Sequence, residues 1–156
     1  MQPVEVPIRA EWRVQADEYA RTAGFPTMRT GKLAEYAVIF YLRSQGVQVR
    51  EDRTPMTQPD YFDLNLGSTL VDVKSCLAPS KELRVPRSHF DRGRRFAFYI
   101  GVQVSRSREV ARIFGYCTKE DIRSAKARWV NHRAVYTLPF SRLRPISSLV
   151  SAYRRD

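Results

Sequence analysis

The sequence predicts a mixed α/β domain in which helices flank a β-sheet. Three features predict it: two amphipathic helical segments near the start, a hairpin of alternating apolar and polar residues in the middle, and a long apolar strand, FAFYIGVQV, beyond it. A first helix is expected from about Glu11 to Ala23, closed by Gly24 ahead of Pro26. A second, TGKLAEYAVIFYLRSQ, takes Thr30 as N-cap and Gly46 as its stop. Val38, Ile39 and Leu42 follow Glu35 by three, four and seven residues, which puts Glu35 on the face that packs against the sheet. A carboxylate there needs a partner. A strand from Val47 to about Glu51 comes next, then DRTPMTQPD, whose two prolines and polar residues break regular structure.

The hairpin follows. Tyr61 to Leu66 and Thr69 to Lys74 read as its strands, with Gly67 and Ser68 as the two-residue turn that a leading glycine favours. Leu66 then faces Thr69, Asp63 faces Asp72 and Tyr61 faces Lys74, and the period of two keeps Asp63, Asp72 and Lys74 on one face. Leu64, Leu66, Val71 and Val73 take the other face. Opposed residues have Cβ atoms about 4.5–5.5 Å apart, so two carboxylates held there repel unless a positive charge neutralises them. A divalent cation would do so.

After Ser75 the stretch CLAPSKELRVPRSHFDRGRR looks irregular, with Pro79 and Pro86 in it; between Lys81 and Arg95 it holds six basic and two acidic residues. Phe96 to Val104 is the strongest core strand, and Ala111 to Cys117 reads as its antiparallel neighbour across the turn SRSRE. Thr118 caps a helix beginning KEDIRSAKAR, with Asp121 as the capping-box acid. Ala134 to Leu138 alternates again before Pro139, and a short helix around Ile146 to Tyr153 ends the chain. The length suits one domain over residues 1–156.

The formal charge of +11, with arginine supplying 22 of 27 positive groups, points to a polyanionic partner such as nucleic acid. Cys76 and Cys117 alone exclude a disulfide framework and a four-cysteine zinc site. No stretch approaches the roughly 20 apolar residues that span a bilayer, and the opening MQPVEVPIRAEW lacks the apolar core of a signal peptide. A cytoplasmic location is expected, in a host cell if the protein is phage-encoded.

A glutamate-bearing helix, a strand, and a hairpin with Asp and acid-x-Lys make up the order GKLAEY, YFDLNL, VDVKS. In that order, from about Gly31 to Val104, the chain resembles the PD-(D/E)XK nuclease superfamily. GKLAEY and RTPMTQPD look most like archaeal-type Holliday junction resolvases, whereas YFD looks more like restriction-type members. The superfamily's first acid is therefore Asp60 or Asp63; strand parity favours Asp63, because Asp60 falls on the opposite face from Asp72. The resemblance implies a restriction-endonuclease-like fold with Glu35, Asp63, Asp72 and Lys74 as catalytic residues. It implies Mg²⁺, or Mn²⁺ in its place, held by Asp63, Asp72, the Val73 carbonyl and Glu35. Lys74 would position the attacking water and stabilise charge on phosphorus. Tyr61, Thr54, Thr57 and His89 are lesser candidates, and His132 has no partner pattern. Arg84, Arg87, Arg92, Arg94 and Arg95 are the expected backbone contacts.

The function expected is a metal-dependent DNA endonuclease, most specifically a homodimeric four-way junction resolvase. A restriction-like, repair or phage nuclease acting on duplexes, flaps or ends is the second reading. A DNA-binding protein that keeps the nuclease fold without catalysis is the third.

Overall fold

The computed structural model describes residues 2–24, 28–51, 63–91 and 96–155. In chain order the elements are β1 (Val4–Pro7), α1 (Ala10–Ala23), α2 (Met28–Ser44), β2 (Arg50–Glu51), β3 (Asp63–Leu66), β4 (Thr69–Leu77), β5 (Glu82–Pro86), α3 (Arg87–Asp91), β6 (Phe96–Val104), β7 (Val110–Thr118), α4 (Lys119–Arg123), β8 (Lys126–Val130), β9 (Arg133–Pro139), a 3-10 turn (Phe140–Arg142) and α5 (Ile146–Tyr153). Among the described residues, six strands form one sheet in the order β1-β7-β6-β4-β3-β2, and three form a second in the order β5-β9-β8. The fold is mixed α/β. Only the β4–β6 pair is parallel among these ladders, and the connection between the two strands carries β5 and α3.

The central strands β4 and β6 are covered on both sides, which is why FAFYIGVQV reads as a nearly continuous apolar run. Val71, Val73, Ile100 and Val102 join Leu33, Ala34, Ala37 and Val38 of α2 in one core. Leu70 and Cys76, alternating with those valines, pack against a second core of Leu83, Val85, Phe90 and Tyr99. Helix α1 then lies on α2, with Trp12 edge-on to Phe40 at a centroid separation of 5.6 Å.

Several elements differ from the expected ones. Thr30 lies inside α2, which starts at Met28, so it is not the cap. Of the strand expected from Val47, only Arg50–Glu51 joins the ladder with β3, while Val47 makes a lone bridge to Arg154. Beyond Ser75 the chain is regular: β4 continues to Leu77, and β5 forms because β9 offers it a partner ladder and its Leu83 and Val85 become buried. The helix after Thr118 stops at Arg123, since β9 captures the following residues as β8. Asn131 and His132 take φ of 48° and 64° in the turn between them, the left-handed pair that a tight hairpin requires. Strand β1 is too short to show periodicity and exists because β7 gives it an edge to pair with.

The Thr118 cap holds as expected. Its hydroxyl accepts from the Asp121 N–H, and the Asp121 carboxylate accepts from the Thr118 N–H at 2.9 Å. Arg144 grips the same carboxylate with two nitrogens, at 2.8 and 3.0 Å, and those hydrogen bonds hold the Asp121 pKa down to about 2. The Arg144 main chain also pairs in both directions with Tyr116, which docks the C-terminal segment onto β7.

That docking needs two glycines. Gly101 and Gly115 oppose each other across β6 and β7, next to a bulge that leaves Phe114 without a partner in the ladder. A Cβ on Gly101 would lie 2.7 Å from Leu143 Cδ1 and 2.8 Å from Phe140 Cε1. One on Gly115, where φ is 144°, would collide with the Arg144 carbonyl. Gly115→Ala is expected to destabilise the fold by about 2–4 kcal/mol in urea or thermal unfolding. Gly67→Ala, at a turn with φ of 63° and open space around it, should lose only about 1 kcal/mol.

Candidate active site

The hairpin has the expected register: Asp63 pairs with Asp72, Leu64 with Val71, Asn65 with Leu70 and Leu66 with Thr69. The apolar residues Leu64, Leu66 and Val71 are buried, and Gly67 takes the positive φ that its turn demands. Asp72 therefore sits in the middle of β4, 8% exposed, on the side away from α2. Lys74 stands one pleat along on the same side, with Nζ 3.0 Å from Asp72 Oδ2.

Burial drives the Asp72 carboxyl toward its protonated form, and Lys74 and His89 oppose that by favouring the carboxylate. The backbone of Asp63 lies directly opposite, and its side chain falls outside the described residues. Asp60, Tyr61, Thr54, Thr57, Arg92, Arg94 and Arg95 fall outside them too.

Glu35 comes from the α2 side. It is 3% exposed, with Oε1 3.6 Å from Lys32 Nζ and Oε2 without a hydrogen-bond partner among the described residues. Burial is the main reason its pKa rises to about 7, and the nearby charges of Glu51 and Asp72 push the same way while Lys32 pulls it down. Glu35 and Asp72 thus approach from different sides of the sheet and are close enough to feel each other's charge. Glu51, placed beside Glu35 by the β2–β3 ladder, is a member of the site that sequence reasoning misses. Nothing local in its strand signals that proximity, which depends on how α2 crosses the sheet.

The basic residues divide. Arg84 alternates with buried Leu83 and Val85, so it projects from the far side of the smaller sheet and bonds Glu82 Oε1 at 3.0 Å. The structure does not bring Arg84 to Asp72. Arg87 is exposed at the start of α3 and pairs with Asp91 at 3.4 Å. His89, two residues on, is the member of this stretch that reaches the field of Asp72. Its position among basic residues in sequence hid this, because only the fold of β5 and α3 over β4 turns it inward.

Among the described residues, no three His, Cys, Asp or Glu side chains gather in a metal-binding group. Glu35 and Asp72 nevertheless suit a hard divalent cation: both donors are oxygens, both are buried, and one Glu35 oxygen is orphaned.

Residues 69–155 match the model of a family described as "Protein of unknown function (DUF1822)". The chain belongs to that family. No curated protein matches it. The DUF1822 match begins at the first residue of β4, so it takes in Asp72, Val73 and Lys74 and leaves out Glu35 and Asp63. No described helix of this DUF1822 chain is long and apolar enough to cross a membrane.

Ionisation of buried Glu35 has a cost that should be measurable. In chelator, the unfolded chain loses this proton near its ordinary pKa of 4.5 while the folded chain keeps it to about 7, so the contribution to stability is full below 4.5 and lost as pH rises through 7. Glu35→Gln should therefore raise the unfolding free energy at pH 8 by on the order of 3 kcal/mol, read by urea unfolding, and leave it nearly unchanged at pH 4. Equal effects at both values would exclude a proton held by burial.

Proposed function

We propose that this protein is a metal-dependent DNA endonuclease. The observation that carries the reading is the ion pair of buried Asp72 with part-exposed Lys74 on β4, with Asp63 opposite Asp72 in the ladder and the orphaned oxygen of Glu35 nearby. A buried carboxylate kept only for stability is a poor use of a core position, because its desolvation offsets much of its attraction to Lys74. The charge of +11 supplies the general affinity for a polyanion.

Asp72, the Val73 carbonyl and Asp63 would hold Mg²⁺ or Mn²⁺, and Glu35, coming from the α2 side, would reach it through water or hold a second ion. Once bound, such a cation polarises a phosphodiester and acidifies a coordinated water. Lys74 is held by Asp72 at 3.0 Å, so its ammonium is fixed where it can orient the attacking water and offset negative charge building on the phosphoryl oxygens. Burial excludes bulk water from Asp72 and Glu35, which strengthens both interactions. His89 adds positive character on the Asp72 side. The preferred substrate in this reading is a four-way DNA junction, cut by a homodimer whose two sites act on opposed strands.

Asp72→Asn should lower the cleavage rate by at least about a thousandfold while DNA binding holds or tightens, since a negative charge near phosphate is removed. The measurement is cleavage of a labelled four-way junction beside a duplex, a flap and a single strand of the same sequence, with Mg²⁺ and with chelator. Paired, chelator-sensitive nicks in opposed junction strands are expected. Unchanged cleavage in Asp72→Asn would end the nuclease assignment, and cutting of the other substrates alone would remove the junction preference.

A further inference from the structure

We propose that a cleft between the start of α2 and the ends of β4 and β6 is a phosphate-binding site, filled by a phosphate of a nucleic-acid strand. The cleft measures about 550 Å³ and is lined by Arg29, Thr30, Ser75, Cys76, Leu77, Arg106 and Arg108. That volume falls within the span of about 300–1,000 Å³ typical of ligand sites. The inference rests on the nucleic-acid reading above, yet none of these residues belongs to the proposed catalytic set.

The chemistry of the lining is that of an anion site. Three arginines line it, and Asp17 is the carboxylate paired with two of them, its Oδ1 lying 3.1 Å from both Arg29 Nε and Arg108 Nη1. Asp17 is half exposed, so it neutralises little, and a concave surface with excess positive charge is left. Arg29 Nε is buried and has no aligned hydrogen-bond acceptor among the described residues, because its contact with Asp17 is close but badly directed. A planar guanidinium with unspent donors suits a phosphate oxygen.

The backbone holds these groups in place. Arg106 Nε donates to the Ala78 carbonyl at 2.9 Å, which pins its side chain across the end of β4. Arg108 sits in the left-handed region at φ 61°, and its carbonyl accepts from Arg13 at 3.2 Å. Thr30 and Ser75 add hydroxyl donors. Ser75 directly follows Lys74 in β4 and so points to the opposite face, the one that α2 covers, which keeps the cleft separate from the Asp72–Lys74 pair.

The test is binding of the full chain to a labelled DNA duplex in chelator, read by fluorescence anisotropy over a range of salt. The Arg29→Ala, Arg106→Ala double variant should bind at least about tenfold more weakly at low salt, and the slope of log K against log salt should flatten by about one for each phosphate that the variant no longer neutralises. Asp17→Asn should bind several-fold more tightly, a gain that misfolding does not produce. Unchanged affinity in both variants overturns the proposal. Preference for a 5′-phosphorylated over a 5′-hydroxyl oligonucleotide would assign a terminal phosphate to the cleft, and equal binding an internal one. Binding that depends on these arginines, in a protein that cuts nothing with Mg²⁺, would sustain the cleft and refute the nuclease reading separately.

Discussion

A carboxylate and an ammonium 3.0 Å apart, on a strand covered on both faces, are the constraint around which this molecule is arranged. Burying one such charge alone is costly, so Asp72 and Lys74 must stay together and β4 must stay in register with both neighbours. The antiparallel ladder to β3 and the parallel ladder to β6 meet on that one strand. Any slip by one residue would exchange Asp72 with Val71 or Val73 and send charge into the core beneath α2.

The two cores divide the work. Beneath α2 the contacts are aliphatic, and the charge on that side belongs to Glu35, set between Lys32 and the neighbouring carboxylates. On the other side the smaller sheet, α3 and α4 enclose an aromatic cluster that includes Phe90, Phe96 and Tyr99. Burial by that cluster makes Asp72 unusual, and α3 brings His89 into its field. The sheet thus brings charged groups to one strand from both sides, while its backbone pairs with β3 over Thr69–Asp72 and with β6 over Leu70–Leu77.

Much of the positive charge is already engaged. Glu82 serves Arg84 and Arg128, Asp121 serves Arg144, and Glu5 serves Arg112, which leaves the surplus concentrated where carboxylates are few. The cleft beside Ser75 is such a place.

By itself the sequence determined what depends on short-range rules. Gly67 at a turn, strict alternation around it, and apolar spacing along α2 settled the hairpin register, the pairing of Asp63 with Asp72 and the burial of Val38, Ile39 and Leu42, because each follows from a period of two or 3.6 residues. Thr118 with Asp121 and the run from Phe96 to Val104 were legible for the same reason. Only tertiary structure decided that ELRVP and KARWV become strands, since their ladders are made with β9, far along the chain. It alone turned Arg84 away from Asp72 and His89 toward it, set Glu51 beside Glu35, and gathered Arg29, Arg106 and Arg108 around one cleft. Those proximities join residues distant in sequence, and they arise from how layers pack, which no local periodicity encodes.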